Sequence, residues 1–121
     1  MSLFRSPEMD LKYKTFKENN PVGYTNWKDK DIIIKEWNYW KLIKNTFYYD
    51  KLLTLHHLLI PKRQFKRFYE MSGIERRELE MIDKELEAKK TYESKMTNFI
   101  KARSVTNIFH IHCMVWKNNK I

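Results

Sequence analysis

The chain has 121 residues, of which 42% are hydrophobic, 15% aromatic and 32% charged, enough apolar side chains for one packed core without disulfides or metal and too many for a disordered segment. Its 24 Lys and Arg against 15 Asp and Glu give a net charge of +9, which favours anionic partners: a nucleotide, RNA or another polyanion. No stretch approaches the ~18–20 apolar residues of a membrane-spanning helix, and no signal-peptide pattern opens the sequence. The single Cys113 cannot form an internal disulfide, which suits a cytoplasmic protein.

In chain order, Met9, Tyr13 and Phe16 share one helical face, which predicts a short helix from about Asp10 to Glu18. Asn19-Asn20-Pro21 and Gly23 end it, and residues 1–30 read as a helix-and-loop extension before a domain over 31–121. Ile32-Ile33-Ile34 and Tyr39–Phe47 read as an antiparallel pair with a turn at Trp37-Asn38. Leu55–Ile60 is the next strand, stopped by Pro61. Phe65, Phe68 and Tyr69 predict a short basic helix. Ser72 and Glu75 then form a capping box for a longer one, about Gly73 to Tyr92, with Leu79, Ile82 and Leu86 as its apolar stripe. Met96–Ala102 and Thr106–Trp116 read as two further strands. The order predicts an α+β fold, an antiparallel sheet with helices packed on one face.

The final strand carries the candidate chemistry. Side chains alternate along a strand, so Phe109, Ile111, Cys113 and Val115 form an apolar face. His110 and His112 stand on the other, beside Ile108, Met114 and Trp116, with the two imidazoles spaced ~6–7 Å along the strand. His56-His57, in an earlier strand, can bring one more imidazole, from either residue, if the strands pair. Zinc does not follow from this spacing, because Cys113 points to the opposite face and no fourth ligand is evident; no cofactor is implied. There is no Gly-rich phosphate loop and no Gly-x-Ser-x-Gly nucleophile elbow.

Three segments in order, Asn45-Thr-Phe-Tyr-Tyr-Asp50, His56-His-Leu-Leu-Ile-Pro-Lys-Arg63 and Ser104-Val before Phe109-His-Ile-His112, resemble the histidine-triad (HIT) superfamily over residues 31–117. The chain looks closest to the branch of galactose-1-phosphate uridylyltransferase and the dinucleoside tetraphosphate phosphorylases. The resemblance implies a HIT-like domain acting on a nucleotide or nucleotide conjugate. In that family the middle histidine of a His-φ-His-φ-His strand attacks the α-phosphorus, and the nucleotidyl group then passes to water or another acceptor. Mapped onto this chain, His112 takes the nucleophile's place and His110 supports it. Asn45, His57, Lys62, Ser104 and Asn107 are the phosphate-binding candidates, with Met114 in the third position where the family has His or Gln. The family's Pro after Asn-x-Phe is Tyr48 here, and its His after Pro-Lys-x is Gln64. A shifted register places Ile108, His110 and His112 in the three positions and makes His110 the nucleophile. Two outcomes stay open: a nucleotide hydrolase or nucleotidyltransferase, and a catalytically degenerate nucleotide- or RNA-binding domain. The resemblance also implies pairing into a homodimer, with no membrane partner.

Overall fold

The structure is a computed structural model that describes residues 3–21, 23–103, 105 and 107–117. Helix α1 spans Pro7–Glu18 and starts earlier than its apolar spacing predicts, because Ser6 accepts the Met9 N–H (3.2 Å) and Pro7 occupies the first turn. It ends at Asn19, whose N–H donates back to Thr15, while the Asn20 side chain donates to the Phe16 carbonyl.

Among the described residues, five strands form one antiparallel sheet: β1 (Ile33–Glu36), β2 (Trp40–Lys44), β3 (Leu53–Pro61), β4 (Ser94–Met96) and β5 (Ile111–Trp116), in the order β1-β2-β3-β5-β4. The β-branched and aromatic residues of β2 and β3 suit a half-buried pleat, and β3, with paired neighbours on both sides, is buried on both faces from Leu58 to Ile60. Helix α2, Gly73–Lys89, covers one face, packing Leu79, Ile82 and Leu86 onto Trp40, Leu42, Leu59 and Cys113. The capping box between Ser72 and Glu75 is formed as its spacing predicts. Polar ties fix α2 to the sheet: the Trp40 indole donates to the Glu75 carbonyl (2.8 Å) and the Tyr39 N–H to the Glu78 carboxylate (2.6 Å).

The α+β antiparallel fold expected from the sequence is found, with further local differences. The basic segment after Pro61 is no helix but a loop with a single 3-10 turn at Phe68–Glu70. The Phe65 carbonyl is taken by the Phe109 N–H (2.6 Å) and its ring stacks on Phe109, which leaves no helical bond for that carbonyl to accept. The strand expected over Met96–Ala102 contracts to Ser94–Met96, followed by a 3-10 turn at Ile100–Ala102. The final strand starts at Ile111 rather than Thr106. The Thr97 hydroxyl takes the His110 carbonyl (2.7 Å) and Phe65 takes the Phe109 N–H, so ladder bonds begin only beyond them.

The opposite sheet face holds a second apolar cluster of Trp27, Ile43, Leu58, Ile60 and Ile108. Tyr13 and Phe16 of α1 pack on Phe47 with ring centroids 5.1 Å apart in each case. A cavity lies between α1, the loop through Trp27 and this face.

Candidate active site

The ladder between β3 and β5 builds the site. In its register His56 stands opposite Met114 and Leu58 opposite His112, so the even-numbered side chains of both strands share the face away from α2. That parity brings His56, not His57, to His112. The His56 Nε2 lies 2.7 Å from the His112 Nδ1, and the rings stack with centroids 5.0 Å apart. His110 meets His112 edge-on at 5.0 Å, and Trp27 closes on the other side of His110, also at 5.0 Å.

Each imidazole has a distinct set of partners. The His56 Nδ1 accepts the backbone N–H of Tyr49 (3.2 Å), a bond made possible where the chain bends after β2. Asn45 shapes that bend: its side-chain oxygen accepts the Phe47 N–H (3.1 Å), and its amide nitrogen lies over the edge of the His56 ring, 3.3 Å from Nδ1 and 3.5 Å from Nε2. The His110 Nδ1 donates to the Ile108 carbonyl (2.8 Å). The His112 Nε2 is buried with no hydrogen-bond partner among the described residues.

All three rings are held neutral. Burial lowers the pKa of His56 to about 3, helped by His112 and Arg5, and that of His112 to about 3, helped by His110 and Arg5. Burial also lowers His110, though its bond to the Ile108 carbonyl works the other way.

The His110 and His112 rings line a cavity of about 330 Å³. Its wall adds the aromatic rings of Tyr13, Phe16, Tyr24, Trp27, Phe47 and Tyr49, and the cations Arg5 and Lys17, with no carboxylate among the described residues lining it. Arg5 is itself buried, donating to the Phe47 carbonyl (2.7 Å) with its guanidinium 4.4 Å from the Tyr13 ring centroid. A wall of this kind accepts a flat ring and an anion together. Among the described residues no group of three or more His, Cys, Asp or Glu is arranged to hold a metal ion.

Of the residues singled out in the sequence, Asn45, Asn107, His110 and His112 line this cavity. His57 faces the other way, with its Nδ1 2.5 Å from the Tyr92 hydroxyl on the α2 side. Lys62 is exposed beyond the end of β3, outside the cavity wall, and its N–H donates to the Tyr39 carbonyl. Met114 is buried across the ladder from His56 and is not part of the wall. Ser104 lies outside the described residues. His56, Tyr49, Trp27 and Arg5 were not singled out as site residues; only the adjacent His56-His57 pair hinted at the first.

No family model matches the chain, and no curated protein matches it. Among solved structures, the histidine triad nucleotide-binding protein from Candida albicans is similar, with a TM-score of 0.47 and 16% sequence identity over 85% of this chain and 71% of that one.

Proposed function

We propose that the chain is a HIT-like nucleotide-phosphate hydrolase or nucleotidyltransferase that works through a covalent nucleotidyl-histidine. The observation that carries this reading is the buried, unpartnered His112 Nε2 next to His110 on the wall of a cavity. A buried polar atom without a partner is costly, and a ligand oxygen would satisfy it. Arg5 and Lys17 supply positive charge for phosphate, while the aromatic wall suits a base. A ring nitrogen of the His110–His112 pair attacks the α-phosphorus, and water or a second acceptor then takes the nucleotidyl group. Neutral rings meet the first requirement of that step, a nitrogen lone pair not already occupied by a proton. The narrower transferase-type branch rests on the motifs around Asn45 and His56–Arg63 alone, and a homodimer and a cytoplasmic location belong to the same reading.

The test offers the protein diadenosine tetraphosphate, adenosine monophosphoramidate and a nucleotide sugar. Expected are release of a nucleoside monophosphate and a fall of at least ~10²-fold in the His110→Ala/His112→Ala double variant, with nucleotide binding retained. Absence of turnover with all three contradicts the catalytic reading. The second reading, a binding-only domain, is favoured by Met114, whose thioether is a weak substitute for His or Gln and does not line the cavity. It predicts salt-dependent nucleotide affinity without turnover.

A further inference from the structure

The cavity wall has a direction. Along it, Trp27 packs on His110 with ring centroids 5.0 Å apart, His110 on His112 at 5.0 Å, and His112 on Tyr49 at 5.6 Å. The Tyr49 ring lies 5.1 Å from the Arg5 guanidinium, which in turn lies 4.4 Å from the Tyr13 ring. Lys17 follows, 5.1 Å from the same Tyr13 ring. One end of the row is an indole, the middle is a pair of neutral imidazoles, and the far end carries two cations.

Arg5 is the member whose bonding is incomplete. It is only 8% exposed, and its Nε donates to the Phe47 carbonyl at 2.7 Å. Its two terminal nitrogens have no acceptor among the described residues, and no carboxylate among those residues lines the cavity. Asp50, which anchors this segment, bonds Ser6 instead, at 2.6 Å and 2.5 Å. A buried guanidinium without a counter-charge is costly, and its fixed fork of N–H donors suits a phosphate. Its charge also reaches the imidazoles. After burial and the neighbouring histidine, Arg5 is a further cause holding His56 and His112 below the ordinary histidine range.

We infer that Arg5 is a specificity-determining residue that binds the phosphate beyond the reacting phosphorus, so that the substrate is a nucleotide joined through a phosphoanhydride rather than a phosphoramidate. This rests on the proposed nucleotidyl-histidine chemistry. The base packs at the Trp27 end, the α-phosphorus faces the imidazoles, and the leaving group extends to Arg5, with Lys17 beyond it. In the step, a ring-nitrogen lone pair forms the bond to phosphorus as the bond from phosphorus to the bridging oxygen breaks. The electron pair leaves on the departing phosphate, and the guanidinium offsets the charge that develops there. Water then forms an oxygen–phosphorus bond, the nitrogen–phosphorus pair returns to the ring, and one water proton passes to solvent. A phosphoramidate has an amine leaving group, which develops no such charge and needs a proton that arginine does not give up.

The test compares ratios on the full chain. Calorimetric titrations are expected to show affinity rising at least ~tenfold from adenosine monophosphate to the diphosphate. In Arg5→Gln that ratio is expected to fall below about threefold, and in Arg5→Lys, which keeps the charge, to recover in part. A purely structural Arg5 would weaken both nucleotides alike, so an unchanged ratio in Arg5→Gln overturns the inference. Lys17→Gln, at an exposed position, reads the same gradient without disturbing buried packing. Its ratio of triphosphate to diphosphate affinity is expected to narrow, and an unchanged ratio counts against the direction of the row. Turnover of diadenosine tetraphosphate or of uridine diphosphate glucose supports the inference and identifies which phosphoanhydride is used. Turnover of adenosine monophosphoramidate alone, or equal affinity of the parent for all three adenosine phosphates, overturns the inference and leaves the proposed function standing. No binding of any nucleotide overturns both.

Discussion

The Nε2 of His56 and the Nδ1 of His112 lie 2.7 Å apart between paired strands, and this one contact joins the core of the sheet to the cavity. Removing the His56 ring leaves the part-buried Tyr49 N–H and the buried His112 Nδ1 without their partner, and a buried group left unpaired costs roughly 1–3 kcal/mol. His56→Ala is therefore expected to lower the urea midpoint by an amount matching a loss of at least ~2 kcal/mol. A midpoint within ~0.5 kcal/mol of the parent contradicts the contact's role.

Acid is expected to destabilise the fold before the carboxylates titrate. His56 and His112 have pKa values near 3 in the folded chain and 6.5 as free side chains, so unfolding takes up protons between those values. Their contribution is complete above pH 6.5 and is lost as the pH falls toward 3. Each ring contributes a slope approaching ~1.4 kcal/mol per pH unit within that window. Glu75 and Glu85 are held below their ordinary 4.5, mainly by hydrogen bonds from Arg63 and Lys35 respectively, and act in the same direction only at lower pH. Urea titrations between pH 4.5 and 7 are the check, and a flat stability across that range would contradict neutral buried imidazoles.

The end of α2 offers an independent check on the fold. Lys90 caps the helix at φ 57°, in the left-handed region where a Cβ is strained. Lys90→Gly is expected to raise stability by up to ~1 kcal/mol, read as a higher melting temperature with unchanged nucleotide binding.

Lys17 stands exposed at the cavity wall and makes a cation–π contact with Tyr13 at 5.1 Å. Lys17→Gln is expected to weaken adenosine triphosphate binding by ~3–10-fold, about 0.7–1.4 kcal/mol, and to flatten its dependence on salt. Titrations at two salt concentrations show both effects, and an unchanged affinity would place the phosphates elsewhere.

Much of the scaffold is legible because it is written locally. The Ser72–Glu75 capping box, the Leu79–Ile82–Leu86 stripe and the stop at Pro61 each predict their element from neighbouring residues. The segments that differ are governed by distant partners: Phe109 claims the Phe65 carbonyl from across the chain, and Thr97 ends the β5 ladder by bonding His110. The site divides in the same way. The alternation of His110 and His112 along one strand is visible in the sequence, and both line the cavity. Which of His56 and His57 joins them is not visible, since Leu58, Leu59 and Ile60 are apolar on both faces of a doubly buried strand and leave its parity undefined. The register with β5 decides it in favour of His56. Arg5, Tyr13, Phe16 and Trp27 come from the first thirty residues, whose sequence carries no motif, and they reach the cavity only through tertiary packing. Ser6 anchors that segment by donating its N–H to the Asp50 carboxylate at 2.6 Å, and its hydroxyl bonds the other carboxylate oxygen at 2.5 Å.

The central claim is that nucleotide phosphate sits against the β5 imidazoles in the cavity under Trp27. The most direct measurement is a titration with adenosine diphosphate, followed through the histidine ring and tryptophan indole signals. Saturable shifts are expected at His110, His112 and the Trp27 indole, with His57 on the opposite face unmoved. Shifts centred on His57 and Tyr92, or a bound nucleotide that leaves the His110 and His112 rings untouched, would contradict it.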